Sequence, residues 1–248
     1  MKYITAVSWI VGSLLIIPGT TYKILKPQTT QIDYLCRIVQ TGPQKEALKT
    51  PYLAELIHLS ADQPVIAKRF DPLLAKRRLT ASPVIKSAVV KVIKPDTVYI
   101  DYTVRQPLAA LFEFDNVAID DAGVPFPIVP FFTPKKLPEI ILGVKTFKWG
   151  EPIPHEKIDL SLTLLKMLLG ESLTVHRLDM TKASVPSLGQ REIVVILEEN
   201  GFSKFLRLTP KNFAQEIGNY LELRKTLPPE TQVIDLRIPQ LAFIENNT

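Results

Sequence analysis

The residues best suited to catalysis or metal binding are three histidines, which are widely spaced along the chain. No two of His58, His155 and His176 have the short spacing that metal ligands on one element share. A triad or zinc site could still assemble in three dimensions from such distant residues. The sequence contains no glycine-rich phosphate loop and no G-x-S-x-G segment. We therefore predict a non-enzymatic protein with no cofactor and no metal.

Cys36 is the only cysteine of the chain, so it cannot form an intramolecular disulfide. It lies between Leu35 and Arg37 in an apolar run typical of a β-strand, where we expect a buried, unreactive thiol. Exported proteins often carry disulfides but do not need them, so the cysteine count does not identify the compartment.

The composition limits the classes of function that the chain can have. Hydrophobic residues make up 46% of the 248 residues and charged residues 22%, which is enough for a globular core. The formal net charge of +5 is modest, so it does not indicate a nucleic-acid-binding protein. Twenty-one prolines against ten glycines indicate stiff turns between the elements.

The N-terminal 26 residues are predicted to form a membrane anchor. No charged residue occurs between Ile4 and Ile17, and residues 3–22 would extend over roughly 28 Å as a helix, close to a bilayer core of about 30 Å. A cleaved signal peptide is the main alternative, although residues 18–21 are a poor cleavage site, and a buried soluble helix is the third. The anchor predicts a single-pass membrane protein whose C-terminal bulk is exported from the cytoplasm.

Residues 31–104 show the pattern of a small α+β unit in the order strand, helix, helix, strand, strand. Thr50-Pro51 and Asp71-Pro72 each combine a capping residue with a proline, which predicts the start of a helix. The two helices would cover one face of a three-stranded sheet. The predicted strands are 31–40, 87–94 and 97–104.

Residues 105–248 predict a second, β-rich unit with two helices. The clearer helix extends from Lys157 to Leu169 and is ended by Gly170. Asp120 and Gly123 suit a hairpin turn, and we assign them no other role. The predicted fold class is therefore α+β, with an N-terminal transmembrane helix, a βααββ unit and a mixed β-rich unit. Its predicted strands are 108–112, 117–119, 125–129, 140–142, 174–179, 193–198, 205–208, 232–238 and 241–244.

Several local motifs, in order along the chain, resemble the bacterial cell-division family FtsQ/DivIB. The segment 83–100 is similar to the family's POTRA pattern, and Gln106-Pro107-Leu108-Ala109 is similar to the junction that follows it, although Val104 stands where the family usually has a glutamate. The remaining matches are a turn at 118–126, a segment at 137–143, and Ile234-Asp235-Leu236-Arg237, which matches the family's I-D-L-R strand.

This resemblance implies a single-pass anchor at 1–26 in the inner membrane, a POTRA domain at 31–104 and an FtsQ/DivIB-like β-domain at 105–248. The C-terminal bulk would lie in the periplasm. It implies a bitopic scaffold of the divisome that recruits FtsB- and FtsL-like partners to the division septum and helps coordinate septal cell-wall synthesis. The implied partners are these division proteins and the inner membrane, without nucleic acid or a small-molecule substrate.

The resemblance also implies where partners bind, because in this family a partner adds a strand near the I-D-L-R segment. An edge strand has unpaired backbone N–H and C=O groups that an extended peptide can satisfy. Pro239 is compatible with an edge strand, and Phe243 would be an aromatic anchor. The alternative is that Leu241 and Phe243 complete the core. The predicted partner-binding residues are Ile234, Asp235, Leu236, Arg237, Gln240, Leu241, Ala242, Phe243 and Ile244.

Other interpretations are open for the whole chain and for its charges. A POTRA-bearing component of outer-membrane assembly or secretion would predict several POTRA units or a C-terminal barrel, and an anchored cell-wall enzyme would predict clustered acid, base or metal residues. Ion pairing with a neighbouring strand is the simpler role for Asp235 and Arg237. The basic run from Lys68 to Arg78 could contact anionic lipid headgroups or an acidic partner, although a solvated helix face is the simpler interpretation.

Overall fold

The computed structural model describes residues 33–133, 135–154 and 156–246, which form an α+β fold with two β-sheets and two helices on each. The predicted membrane anchor at 1–26 lies outside these residues. Within the described part of the chain, every helix is too short or too polar to cross a membrane.

The first sheet has the predicted order strand, helix, helix, strand, strand. Its elements are β1 (Arg37–Thr41), α1 (Thr50–Leu56), α2 (Pro72–Ala81), β2 (Ile85–Ile93) and β3 (Thr97–Val104). β3 lies in the centre, parallel to β1 and antiparallel to β2. Both helices pack on one face of this sheet, as predicted, and the opposite face is open.

Asp71 caps α2 as its sequence predicts. Its Oδ1 accepts hydrogen bonds from the backbone N–H of Leu73 at 2.8 Å and of Leu74 at 3.2 Å, which satisfies two of the unpaired donors of the first turn. The predicted cap of α1 is wrong by one residue. That helix includes Thr50, and Lys49 is its N-cap without a side-chain hydrogen bond.

β3 supplies the centre of the core of the first sheet, because it has a strand on either side. Its alternating apolar residues are all buried, namely Val98, Ile100, Tyr102 and Val104. The Tyr102 hydroxyl accepts a hydrogen bond from Leu48 N at 2.7 Å, so its polar atom is satisfied inside the core.

The prediction for the first strand is partly wrong. β1 begins at Arg37, and Cys36 precedes it at the edge of the sheet with an exposed side chain. The expected buried thiol is therefore contradicted. An edge strand has only one neighbour to cover its side chains, which explains why an apolar alternation here does not lead to burial.

The second sheet has nine strands, and only some neighbours along the sheet are neighbours along the chain. The order is β12-β11-β10-β9-β8-β7-β4-β5-β6, with parallel pairing of β4 with β7, β7 with β8, and β10 with β11. The strands are β4 (Ala109–Leu111), β5 (Val117–Ile119), β6 (Pro125–Pro127), β7 (Glu139–Ile141), β8 (Thr174–Asp179), β9 (Ile193–Glu199), β10 (Phe202–Leu208), β11 (Thr231–Asp235) and β12 (Phe243–Asn246).

Two helices, α3 (Glu156–Gly170) and α4 (Phe213–Leu223), share one core with this sheet. The buried face of α3 ends at Leu168, while Leu169 is 41% exposed. Gly170 belongs to the helix and does not end it, so the predicted C-terminal boundary is wrong by one residue. The predicted number of helices in this unit is confirmed.

The core of the first sheet includes residues of the second sheet. Ala118, Phe126 and Phe132 come from the second sheet and its loops, yet they pack in the same cluster as the core of the first sheet. The rings of Tyr52 in α1 and Phe131 are 5.0 Å apart. Burial of these aromatic residues favours one fixed arrangement of the sheets.

Candidate functional site

β12 forms one edge of the nine-stranded sheet, next to β11. It pairs antiparallel with β11, with Ile244 opposite Ile234 and Phe243 opposite Asp235. Among the described residues, no strand pairs with the other side of β12. All four residues of β12 are exposed. The outer row of backbone N–H and C=O groups of this strand is therefore open to another extended segment.

The nine predicted partner-binding residues occupy three parts of this edge. Ile234 and Asp235 end β11, Phe243 and Ile244 begin β12, and the other five form the connection between them. β11 therefore stops three residues before the predicted end at Ile238. Ile234 and Leu236 are buried in the core, so any direct contact with a partner has to come from the exposed members of the set.

A tight turn returns the chain from β11 to β12. Leu241 N donates to Ile238 O at 3.2 Å, Pro239 follows Ile238, and Gln240 has a φ of +65°. Proline at the second position and a positive φ at the third are the pattern of a type II turn. This turn fixes the register in which Phe243 lies opposite Asp235.

The two faces of β12 have different surroundings, because residues directly opposite on paired strands point to the same side of the sheet. Ile244 lies on the side of Ile234, which packs in the core with α4. Phe243 lies on the opposite side of the sheet, together with Asp235. The exposed fractions of Phe243 and Ile244 are 56% and 45%, so both faces of β12 offer apolar surface.

An open cavity of about 390 Å³ adjoins this edge on the helix side. It lies between α4, which contributes Gln215, Asn219 and Leu223, and the connection, which contributes Pro239 and Leu241. Its mixture of amide and apolar side chains could accept a side chain from a segment paired with β12.

On the side of the sheet that carries Asp235, five charged residues form an ion-pair network that we call the Glu192 network. Lys182 Nζ is 2.8 Å from Glu192 Oε1, and Arg207 contacts both Glu192 and Asp235, the latter at 3.2 Å. Arg237 is 2.7 Å from Asp235 and 3.4 Å from Glu192. The simpler role predicted for Asp235 and Arg237, ion pairing with a neighbouring strand, is thus observed.

The pKa shifts in the Glu192 network follow from competing effects of burial and charge. Burial raises the pKa of the Asp235 carboxyl, but hydrogen bonds from Arg237 and the charges of Arg237 and Arg207 outweigh burial, so its pKa lies below the ordinary value. Burial likewise raises the pKa of Glu192, and hydrogen bonds from Lys182 and Arg207 more than compensate. Both groups are therefore carboxylates at neutral pH.

The sequence did not reveal Lys182, Glu192 and Arg207 as parts of this edge. They lie on or beside three different strands, and no spacing in the sequence brings them to Asp235. Only the parallel pairing of β10 with β11, which sets Arg207 opposite Asp235, brings them together. That pairing joins strands separated by α4, so local patterns carry no signal of it.

The two described histidines are exposed and belong to different units. His176 Nε2 is 2.9 Å from Glu198 Oε2 on the exposed surface of β8 and β9, His58 is exposed on a turn, and His155 lies outside the described residues. Within residues 33–133, 135–154 and 156–246, no group of three or more His, Cys, Asp or Glu side chains could hold a metal ion.

Comparison with known proteins identifies no family for this chain. No protein-family model matches it, and no curated protein matches its sequence. The resemblance to FtsQ/DivIB proteins therefore depends on the local motifs and on the order of the elements.

Proposed function

We propose that this protein is a non-enzymatic scaffold of the bacterial divisome, of the FtsQ/DivIB type, anchored in the inner membrane by its N-terminal segment. In this proposal the first sheet is a POTRA domain, and the second sheet is the β-domain that recruits FtsB- and FtsL-like partners to the septum. Two features support it, namely the βααββ order of the first sheet and the edge strand that ends the second.

The observation that carries the proposal is the open edge of β12. A partner segment in extended conformation would pair with its outer N–H and C=O groups and gain main-chain hydrogen bonds. Its side chains would alternate between the Phe243 face and the Ile244 face. Phe243 would pack against apolar partner groups on one side, and the cavity beside α4 would receive a side chain on the other.

The proposed binding mode can be tested with the full-length protein purified in detergent. The FtsB-like and FtsL-like proteins of the same genome would be co-expressed and captured with it. We expect Phe243→Ala to reduce the affinity by roughly 30-fold, as truncation of an aromatic hot spot does. Leu241→Asp should weaken capture further, because it introduces a charge next to the cavity.

Phe202→Ala is the matched control, since Phe202 is 47% exposed at the far end of the β9–β10 hairpin. It should leave partner capture unchanged. A folded Phe243→Ala, Leu241→Asp double variant that captures both partners as well as the unchanged protein would refute the assignment of β12. Septal enrichment of a tagged copy, with a periplasmic topology reporter after Thr248, would test the location separately.

A further inference from the structure

Helix α2 exposes two leucines to solvent. The exposed fraction of the Leu73 side chain is 69% and that of Leu74 is 42%, because the helix packs on the first sheet through Ala75 and Leu79 instead. Single exposed leucines are common on protein surfaces. Two adjacent ones at the start of a ten-residue helix form an apolar strip that the core does not use.

These leucines lie within a cluster of basic side chains. Between Lys68 and Arg78 the chain has five basic residues and one carboxylate, and that carboxylate, Asp71, is engaged in capping α2. Arg77 is one turn from Leu73 and three residues from Leu74, so it lies beside both. We call this surface the basic leucine face. Its members are Lys68, Arg69, Leu73, Leu74, Lys76 and Arg77, all exposed.

The basic side chains of the basic leucine face form no ion pair with a carboxylate of the described residues. None of the ion pairs formed among the described residues includes Lys68, Arg69, Lys76 or Arg77. A solvated salt-bridge helix would alternate basic residues with acidic ones. This face instead combines unpaired positive charge with exposed leucine, which is the composition of surfaces that lie against anionic membranes.

The basic leucine face lies where the chain emerges from its predicted anchor. Ala67 N donates to Asp33 O at 2.8 Å, and Tyr34 bridges to Ile66, so the first described residues pair with the segment that leads into Lys68. Only residues 27–32 separate Asp33 from the predicted anchor at 1–26. Such a segment reaches at most about 25 Å when fully extended. The tether is therefore short enough for the face to reach the membrane surface.

We infer that the basic leucine face binds the anionic phospholipid surface of the membrane in which the chain is anchored. The Lys and Arg side chains contact lipid phosphates, and Leu73 and Leu74 enter the interfacial layer. This contact fixes the first sheet against the membrane and sets the direction in which the second sheet extends. The inference rests on the anchored topology of the proposed function and assigns α2 a role that partner binding at β12 does not require.

The test uses full-length protein in lipid nanodiscs and a fluorophore that reports on its surroundings. The native thiol is removed with Cys36→Ser, and Thr80→Cys carries a nitrobenzoxadiazole label. Thr80 is exposed on the side of α2 that holds Leu73 and Arg77. The emission maximum is compared between discs of phosphatidylcholine and discs that also contain phosphatidylglycerol. We expect a blue shift with phosphatidylglycerol that high salt reverses.

Charge reversal gives the matched comparison. Each basic residue near an anionic surface strengthens binding roughly fivefold, so Lys68→Glu, Arg69→Glu and Arg77→Glu together should abolish the blue shift. The control reverses three exposed lysines of the second unit, with Lys136→Glu, Lys145→Glu and Lys211→Glu. This control changes the net charge equally and should keep the shift. A label at Leu188→Cys, on the second unit, should give the same emission in both discs.

The outcomes separate this inference from the proposed function. Equal emission of the Thr80 label in both discs overturns the inference while anchoring and partner capture stand. The inference is overturned as well if the triple reversal abolishes capture of a protein partner in detergent but leaves the lipid response intact. If the unchanged chain fails to float with phosphatidylcholine vesicles, the anchor fails. In that case the unchanged chain is floated with phosphatidylglycerol vesicles. Flotation that the triple reversal abolishes would still support the lipid-binding face, and a failure of the unchanged chain to float would overturn the inference.

Discussion

Arg105 Nη1 lies 2.7 Å from Asp120 Oδ2, and this ion pair joins the two sheets at their boundary. Arg105 directly follows β3, and its Nε also donates to Pro83 O at 2.9 Å. Asp120 directly follows β5, and its Oδ1 accepts hydrogen bonds from Ala122 N and Val124 N within the hairpin turn. The turn predicted from Asp120 and Gly123 is present, but the prediction that Asp120 has no further role is wrong.

Removing the charge of Asp120 should destabilise the whole molecule. The exposed fraction of its side chain is 1%, so Asp120→Asn leaves the Arg105 guanidinium partly buried beside a neutral partner. We expect a loss of about 2–4 kcal/mol in the free energy of unfolding, measured by urea denaturation of the full-length protein. The control is Asp121→Asn, because the Asp121 pair with Lys86 is exposed and should contribute less than about 1 kcal/mol. Equal losses in the two variants would contradict a special role for Asp120.

The Glu192 network should make the free energy of unfolding depend on pH in the acidic range. The pKa values of Glu192 and Asp235 are lowered in the folded state relative to ordinary values of 4.5 and 3.8. A carboxyl with a lowered folded pKa stabilises the fold above its unfolded pKa, and that contribution is lost as the pH falls through the folded pKa. Stability should therefore be level above about pH 5 and fall progressively below it.

Urea midpoints across this pH range provide the measurement for the network. Glu192→Gln should lower stability at neutral pH, because three basic residues lose their shared carboxylate, and should flatten the acid dependence. Glu222→Gln serves as the comparison, since Glu222 forms an exposed pair with Lys225. An acid dependence that is as steep in Glu192→Gln as in the unchanged protein would exclude this network as its source.

Gly42 is required by the close approach of Tyr102. A Cβ at position 42 would lie 2.6 Å from the Tyr102 ring. That ring is buried, and its hydroxyl accepts a hydrogen bond from Leu48 N. We expect Gly42→Ala to lower the free energy of unfolding by about 1–3 kcal/mol, because the ring cannot move away without breaking its contacts. A Cβ at Gly189 meets no atom within 4 Å, so Gly189→Ala should have little effect. Thermal melting of both variants tests this difference.

Local patterns predicted the elements well where one face of a strand is fully covered. β3 has the predicted limits, Thr97 and Val104, because its alternating residues are buried between two strands and two helices. The same kind of alternation wrongly predicted a buried thiol at Cys36, because the edge of the sheet leaves one side of the chain uncovered. The end of α3 was also misplaced, since the helix includes Gly170, although its burial stops at Leu168 and Leu169 is exposed.

The candidate edge could be located from the sequence only in part. The exposed apolar pair Phe243 and Ile244 lies in the predicted strand 241–244, which the structure shortens at its start and extends to Asn246. The early end of β11 could not be predicted. The strand stops at Asp235, and the Arg237 side chain binds Asp235, a contact of which the apolar alternation gives no sign. The order of nine strands depends on parallel crossovers, for which residues close in the sequence give no information.

The turn that precedes β12 allows a final prediction, because its third residue has a backbone conformation that proline cannot adopt. Gln240 has a φ of +65°, whereas proline is fixed near −65°. Gln240→Pro should therefore detach β12 from β11 while leaving the rest of the second sheet folded, since the core residues come from other strands. Gln240→Gly should keep the turn and raise stability by up to about 1 kcal/mol, because glycine adopts positive φ without strain.

Hydrogen exchange measured by mass spectrometry should show faster exchange across 231–246 in Gln240→Pro alone, together with loss of FtsB-like partner capture. If Gln240→Pro exchanged faster across 231–246 and still captured the partner, the edge strand would not be needed for binding, whereas normal exchange would show that the turn does not hold β12 in place.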